Sequence, residues 1–124
     1  MSAPITLRSR GAQLNYMQAK ELGQIHCLKD IEPIVTFSYW KIVPNEYPYD
    51  VAFSTCHLLL PIRVAPDKES LSAVELTELE SIMKTYVEHN YDCVMENTAR
   101  TRSVLGHYHL HLLKYYDSRD DMRL

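Results

Sequence analysis

The spacing of apolar residues changes along this chain, and each change marks an element. From Ala12 to Leu28 apolar residues fall at Leu14, Met17, Leu22, Ile25 and Leu28, a loosely helical spacing. It predicts a first helix from Ala12 to about Leu22, ended or weakened by Gly23. Ile34 to Val43 reads IVTFSYWKIV, rich in β-branched and aromatic residues, and is a candidate strand. Pro44 to Asp50 is broken twice by proline and reads as a loop. Thr55 to Arg63 is a second strand, stopped near Pro61 or Pro66. Glu69 to His89 is the clearest helix. Ser72-Ala73-Val74-Glu75 fits a capping box, and Leu79, Ile82, Met83 and Tyr86 make the stripe of one buried face. Asp92 to Glu96 is a short strand, Asn97 to Val104 a polar, basic loop, and His107 to Tyr115 the last strand. Asp117 to Leu124 is charged and expected to fray. The order of elements predicts an α+β domain, an antiparallel sheet with two main helices.

Composition narrows the function classes. At 124 residues the expectation is one domain over 1–124, able to bury a core without disulfide or metal staples. A net charge of −3 argues against a dedicated nucleic-acid binder, but a small anionic ligand needs only a few local basic groups. Cys27, Cys56 and Cys93 are widely spaced and odd in number, which predicts free thiols in a reducing compartment, chiefly as small buried residues. With no secretory pattern at the start and no stretch of transmembrane length, the expectation is a cytoplasmic protein without membrane attachment.

The chemistry is concentrated in His107-Tyr108-His109-Leu110-His111-Leu112-Leu113. In a strand, alternate side chains share a face, so His107, His109 and His111 line one side while Tyr108, Leu110 and Leu112 turn to the other. Imidazole serves as nucleophile, as acid or base, or as metal ligand. Two chemical readings therefore stand: covalent phosphoryl or nucleotidyl transfer, and a His-rich metal site with His57 as a further ligand. Clustered imidazoles resist double protonation, which keeps a nucleophilic lone pair available near neutral pH. A neighbouring imidazolium can then protonate the leaving oxygen. Arg100 and Arg102, just before the triad, are candidates to neutralise phosphate oxygens, against the alternative of a solvated basic loop.

This segment resembles the histidine triad superfamily, whose pattern is His-φ-His-φ-His-φ-φ with φ apolar, at every position. Cys56-His57-Leu58-Leu59-Leu60-Pro61 is similar to the family's strand of His, apolar run and Pro. Asn45-Glu46-Tyr47-Pro48 resembles the turn where members place Asp or Asn, and Asn97 and Ser103 match polar positions before the triad. The resemblance spans about Trp40 to Leu113. Members include nucleoside phosphoramidate hydrolases, dinucleoside polyphosphate hydrolases and phosphorylases, and galactose-1-phosphate uridylyltransferases. It implies a HIT-like fold and a nucleotide hydrolase or nucleotidyl transferase acting at the α-phosphate of a nucleotide or nucleoside phosphate derivative, with a non-catalytic nucleotide-binding or interaction module that keeps the fold as the alternative. On this chain His109 would be the nucleophile and the carbonyl of His107 would fix its tautomer. His107 and His111 would line the phosphate site with His57 in support, Asn45 would meet the ribose, and Asn97 and Ser103 would contact phosphate or the nucleophile's surroundings. The resemblance further implies a homodimer, and no metal or other cofactor.

The match departs in places. Pro61-Ile62-Arg63 stands where many members have Lys and then His, Asn45 replaces an Asp, and the stretch from Asn45 to His57 is longer. These features are nearer the phosphorylase and uridylyltransferase branches, while the N-terminal helical segment, residues 11–29, has no family counterpart. Tyr39, Trp40, Tyr47 and Tyr49 are candidates to stack on a base, although ordinary packing is the favoured reading. His26 and His89 match no motif and are expected at the surface.

Overall fold

A computed structural model describes residues 7–98, 100 and 106–116. Helix α1 (Arg10–Glu21) is followed by a 3-10 turn (Leu28–Asp30). Next come strands β1 (Val35–Thr36), β2 (Trp40–Pro44) and β3 (Phe53–Pro61). A second 3-10 turn (Lys68–Ser70) leads into helix α2 (Ala73–Ile82), which runs on through a π-helical segment (Met83–Val87) and a last α turn, α3 (Glu88–Asn90). Strands β4 (Cys93–Met95) and β5 (Leu110–Tyr115) complete the order. The five strands form one antiparallel sheet in the order β1-β2-β3-β5-β4. The fold class is α+β with two main helices, α1 and α2. Among the described residues no helix is long and apolar enough to cross a membrane.

Helix α2 starts where its capping box does. Ser72 Oγ accepts from the Glu75 backbone N–H and the Glu75 carboxylate accepts from that of Ser72, so regular helix begins at Ala73 rather than Glu69. Glu75 is 4% exposed and also takes a 2.8 Å ion pair from Arg63. The Arg63 hydrogen bond holds its carboxyl below the usual range, against the opposing effect of burial. The predicted stripe is the inward face: Ile82 is buried, and Leu79, Met83 and Tyr86 pack against the main core.

That core lies between α2 and one face of the sheet. Trp40, Ile42, Leu59 and Leu112 are fully buried there, with Tyr108 and Leu110 beside them. A fully buried aliphatic side chain contributes about 1.5–3 kcal/mol. The Trp40 indole N–H donates to the Glu75 carbonyl oxygen at 2.8 Å, tying β2 to the helix. Alternation sends Val43, Leu58 and Leu60 to the opposite face, where they meet Leu28 and Ile31 of the N-terminal segment. A further cluster on that face joins Tyr49, Phe53, Cys56 and Leu113.

Several boundaries differ from the sequence reading. Ile34 to Val43 is a hairpin rather than one strand. The Phe37 N–H donates to the Trp40 carbonyl at 2.7 Å, closing a turn at Ser38-Tyr39, and Val35 pairs with Ile42. β3 begins at Phe53 and ends at Pro61. β5 begins only at Leu110, because the Tyr108 N–H leaves the ladder and donates to the Ala65 carbonyl. Helix α1 ends as the glycine predicted. Gly23 has φ +68°, its N–H donates to Lys20, and the Gln24 N–H donates to Ala19, a Schellman closure. The apolar residues of α1 are not its buried face: Leu14 is 48%, Met17 41% and Leu22 60% exposed, while Gln13, Tyr16 and Ala19 are buried. Of the three cysteines, Cys56 alone is buried; Cys93 is half-buried and Cys27 exposed. The tail from residue 117 lies outside the described residues.

Candidate functional site

Gly106 sets up the site. Its φ of +88° lies in the left-handed region that glycine adopts without steric cost, and it delivers the chain into the triad. All three histidines are buried, at 6%, 8% and 4% exposure for His107, His109 and His111. His109 Nδ1–H donates to the carbonyl oxygen of His107 at 2.9 Å. That bond puts the ring proton on Nδ1 and the lone pair on Nε2. The His109 and His111 rings meet edge to face, with centroids 5.3 Å apart.

His111 is more closely confined. Tyr49 stacks on it at 4.9 Å, and the Asn97 amide N–H₂ makes a long 3.5 Å contact to its Nε2 while bonding the Tyr49 hydroxyl at 2.9 Å. The other ring nitrogen, Nδ1, is buried without a hydrogen-bond partner among the described residues. Burial, then the neighbouring His109, then Arg8 push the His111 pKa down to about 3. His111 is therefore neutral at pH 7. It is not the imidazolium acid expected of a triad neighbour.

His109 and His111 open into one cleft of about 40 Å³, lined also by Arg8, Tyr16, His26, Asn45, Glu46 and Tyr47. A water needs roughly 10–15 Å³ by this measure, so the space suits about three water-sized groups, comparable to the oxygens of a phosphoryl group. Its outer wall is the N-terminal segment, stitched to the loop after β2 by several bonds. The Asp50 carboxylate accepts from Ser9 N–H and Oγ–H at 2.6 and 2.8 Å, and these bonds, the backbone one first, lower its pKa. Arg8 Nε–H donates to the Tyr47 carbonyl at 2.8 Å, Tyr16 meets Tyr47 edge to face, and His26 pairs with Glu46 at 3.0 Å.

The predicted residues divide. Asn45 reaches the cleft, its Oδ1 accepting from the Tyr47 N–H at 3.0 Å, and Asn97 reaches His111. His107 does not line the cleft. Its Nε2–H donates to the Pro61 carbonyl at 2.9 Å, so it fixes the start of β5 instead. His57 is on the wrong face. It pairs in register with Leu112, whereas Leu58 pairs with His111, so strand alternation turns it toward α2. There it bonds the Tyr91 hydroxyl at 2.7 Å, and burial, followed by Lys114, lowers its pKa. The metal reading loses His57 by the same geometry, and the described residues hold no group of three His, Cys, Asp or Glu side chains arranged for a metal. Arg100 is exposed in a turn and does not line the cleft. Arg102 and Ser103 lie outside the described residues.

Among the aromatic candidates, Tyr47 lines the cleft, Tyr49 backs His111, Trp40 belongs to the main core and Tyr39 is exposed. Sequence reasoning missed Arg8, Tyr16 and Glu46, and left His26 at the surface, where it is exposed but at the cleft mouth. For Tyr16 the available signal was its place on the face of α1 away from Leu14 and Met17, whereas Arg8 precedes the helix and carried none. No family model matches this sequence, and no curated protein matches it.

Proposed function

We propose that this chain is a HIT-like nucleotide hydrolase or nucleotidyl transferase that acts at an α-phosphate through His109. The observation that carries the reading is the 2.9 Å bond from His109 Nδ1–H to the His107 carbonyl, inside a cleft of phosphoryl size shared with His111. The bond raises the electron density available at Nε2 and holds the ring in one orientation, as a nucleophile requires. In the first step the Nε2 lone pair forms a bond to phosphorus, and the bond to the leaving group breaks with its electron pair. The departing group takes its proton from solvent. In the second step water, or an acceptor hydroxyl or phosphate, attacks phosphorus. The P–N bond breaks, its electrons return to Nε2, and the attacking group gives up its proton to solvent. His111 lines the cleft beside His109, and Asn45 is placed for a sugar hydroxyl.

The test is a covalent trap. The protein is mixed with radiolabelled dinucleoside polyphosphates, nucleoside phosphoramidates and nucleotide sugars, quenched at alkaline pH, and mapped by mass spectrometry. A nucleotidyl group on His109, lost in His109→Ala together with about a thousandfold or more of turnover (roughly 4 kcal/mol), is the expected result. An adduct elsewhere, or turnover surviving in His109→Ala, refutes the mechanism. Nucleotide binding without any adduct or turnover would instead mark a binding module.

A further inference from the structure

We infer that Arg8, carried on the N-terminal segment, is the group that binds and neutralises the substrate's phosphate, an assignment that rests on the nucleotide reading above. Arg8 is 9% exposed and lines the same cleft as His109 and His111. Its guanidinium lies over the Tyr16 ring at 4.2 Å and the Tyr49 ring at 4.9 Å, and Tyr49 in turn stacks on His111. The result is a layered stack of guanidinium, phenol and imidazole. Bonds to the Tyr47 carbonyl at 2.8 Å and the Gln13 amide oxygen at 3.1 Å fix the fork in place.

The charge balance of the cleft points the same way. A phosphodiester carries a negative charge, and more develops as the leaving group departs, so a water-poor site needs a cation nearby. His111 is neutral, and Arg100 lies outside the cleft. Among the described residues lining the cleft, Arg8 is the one whose positive charge does not depend on pH, and the cleft's carboxylate, Glu46, is engaged by His26 at 3.0 Å. A guanidinium held between two aromatic rings is already desolvated and oriented, so meeting a phosphate requires little reorganisation.

The experiment compares each of the four common ribonucleoside 5′-monophosphates with its parent nucleoside by titration calorimetry. Wild-type protein is expected to bind at least one monophosphate tenfold or more tighter than the nucleoside. Arg8→Gln is expected to remove that margin and leave nucleoside affinity within about twofold, since only the phosphate contact is lost. Should Arg8→Gln fail to fold, the Arg8 Nε–H signal in ¹⁵N spectra of wild-type protein provides the reading, assigned by its disappearance in Arg8→Lys. It is expected to shift with the monophosphate and to stay put with the nucleoside. If wild type prefers monophosphates and Arg8→Gln keeps the same margin, or weakens both ligands equally, the Arg8 assignment is overturned while the nucleotide reading stands. An unmoved Nε–H signal overturns it likewise. If wild type binds none of these ligands, the nucleotide reading fails and the assignment falls with it.

Discussion

Acidification tests whether the triad face is as dry as the geometry requires. His111 is 4% exposed, and burial, His109 and Arg8 lower its pKa from an ordinary 6.5 to about 3. Between those two values the unfolded chain holds a proton that the folded chain does not. Folding must release it, so stability falls as the pH falls through the window, by about 1.4 kcal/mol per pH unit for one full proton. From pH 6.5 to pH 5 the loss from His111 amounts to about 1.6 kcal/mol, a sizeable part of the roughly 5–15 kcal/mol that holds an ordinary domain folded. His57 is shifted the same way and adds to the slope. Asp50 and Glu75 are shifted downward from 3.8 and 4.5, so the stability they contribute is lost only at lower pH, as they protonate in the folded state. Urea unfolding at several pH values between 6.5 and 5, for wild type, His111→Gln and His57→Gln, separates these terms. The expected result is a shallower dependence for His111→Gln, by about one proton, and a smaller change for His57→Gln. Equal slopes in wild type and His111→Gln would mean that the His111 ring reaches water, and the closed cleft would be wrong.

Two further outcomes probe the scaffold. Gly106→Ala forces a Cβ onto a residue with φ +88°. It is expected to cost about 1–2 kcal/mol in chemical denaturation and to lower the yield of His109 adduct. Leu112→Ala removes a fully buried side chain and is expected to cost about 2–5 kcal/mol, whereas Leu14→Ala, 48% exposed on α1, is expected to stay within about 0.5 kcal/mol on the same urea curves.

The parts of the fold that the sequence made legible are those where one period of burial decides the outcome. The α2 stripe and its Ser72–Glu75 capping box were readable because a single helix face meets a single sheet face. The triad was readable for a similar reason. Tyr108, Leu110 and Leu112 are drawn into the main core, and alternation sends His109 and His111 the other way, whereas His107, ahead of the regular strand, turns to the Pro61 carbonyl instead of the cleft. Composition did not show the break at Ser38-Tyr39, since a run of β-branched and aromatic residues suits one strand or two. It could not place His57 either. A one-residue step in register exchanges the faces, and the pairing of Leu58 with His111 depends on both strands together. The cleft's outer wall was least legible, because it joins segments some forty residues apart, such as Ser9 with Asp50 and Arg8 with Tyr47.

The polarity of α1 follows from what it covers. A helix laid on an apolar sheet face buries its leucines, and Leu28 and Ile31 do this lower down, against Val43, Leu58 and Leu60. Over the histidines the same choice would strip imidazole nitrogens of partners and leave them facing hydrocarbon, at a cost of several kcal/mol. The segment presents Arg8 and Tyr16 there instead and leaves Leu14, Met17 and Leu22 toward solvent. A cover chosen for stability alone would reverse that orientation. The inverted amphipathicity of α1 therefore goes with what it covers: the N-terminal segment sets Arg8 and the Tyr16 ring against the cleft that His109 and His111 line.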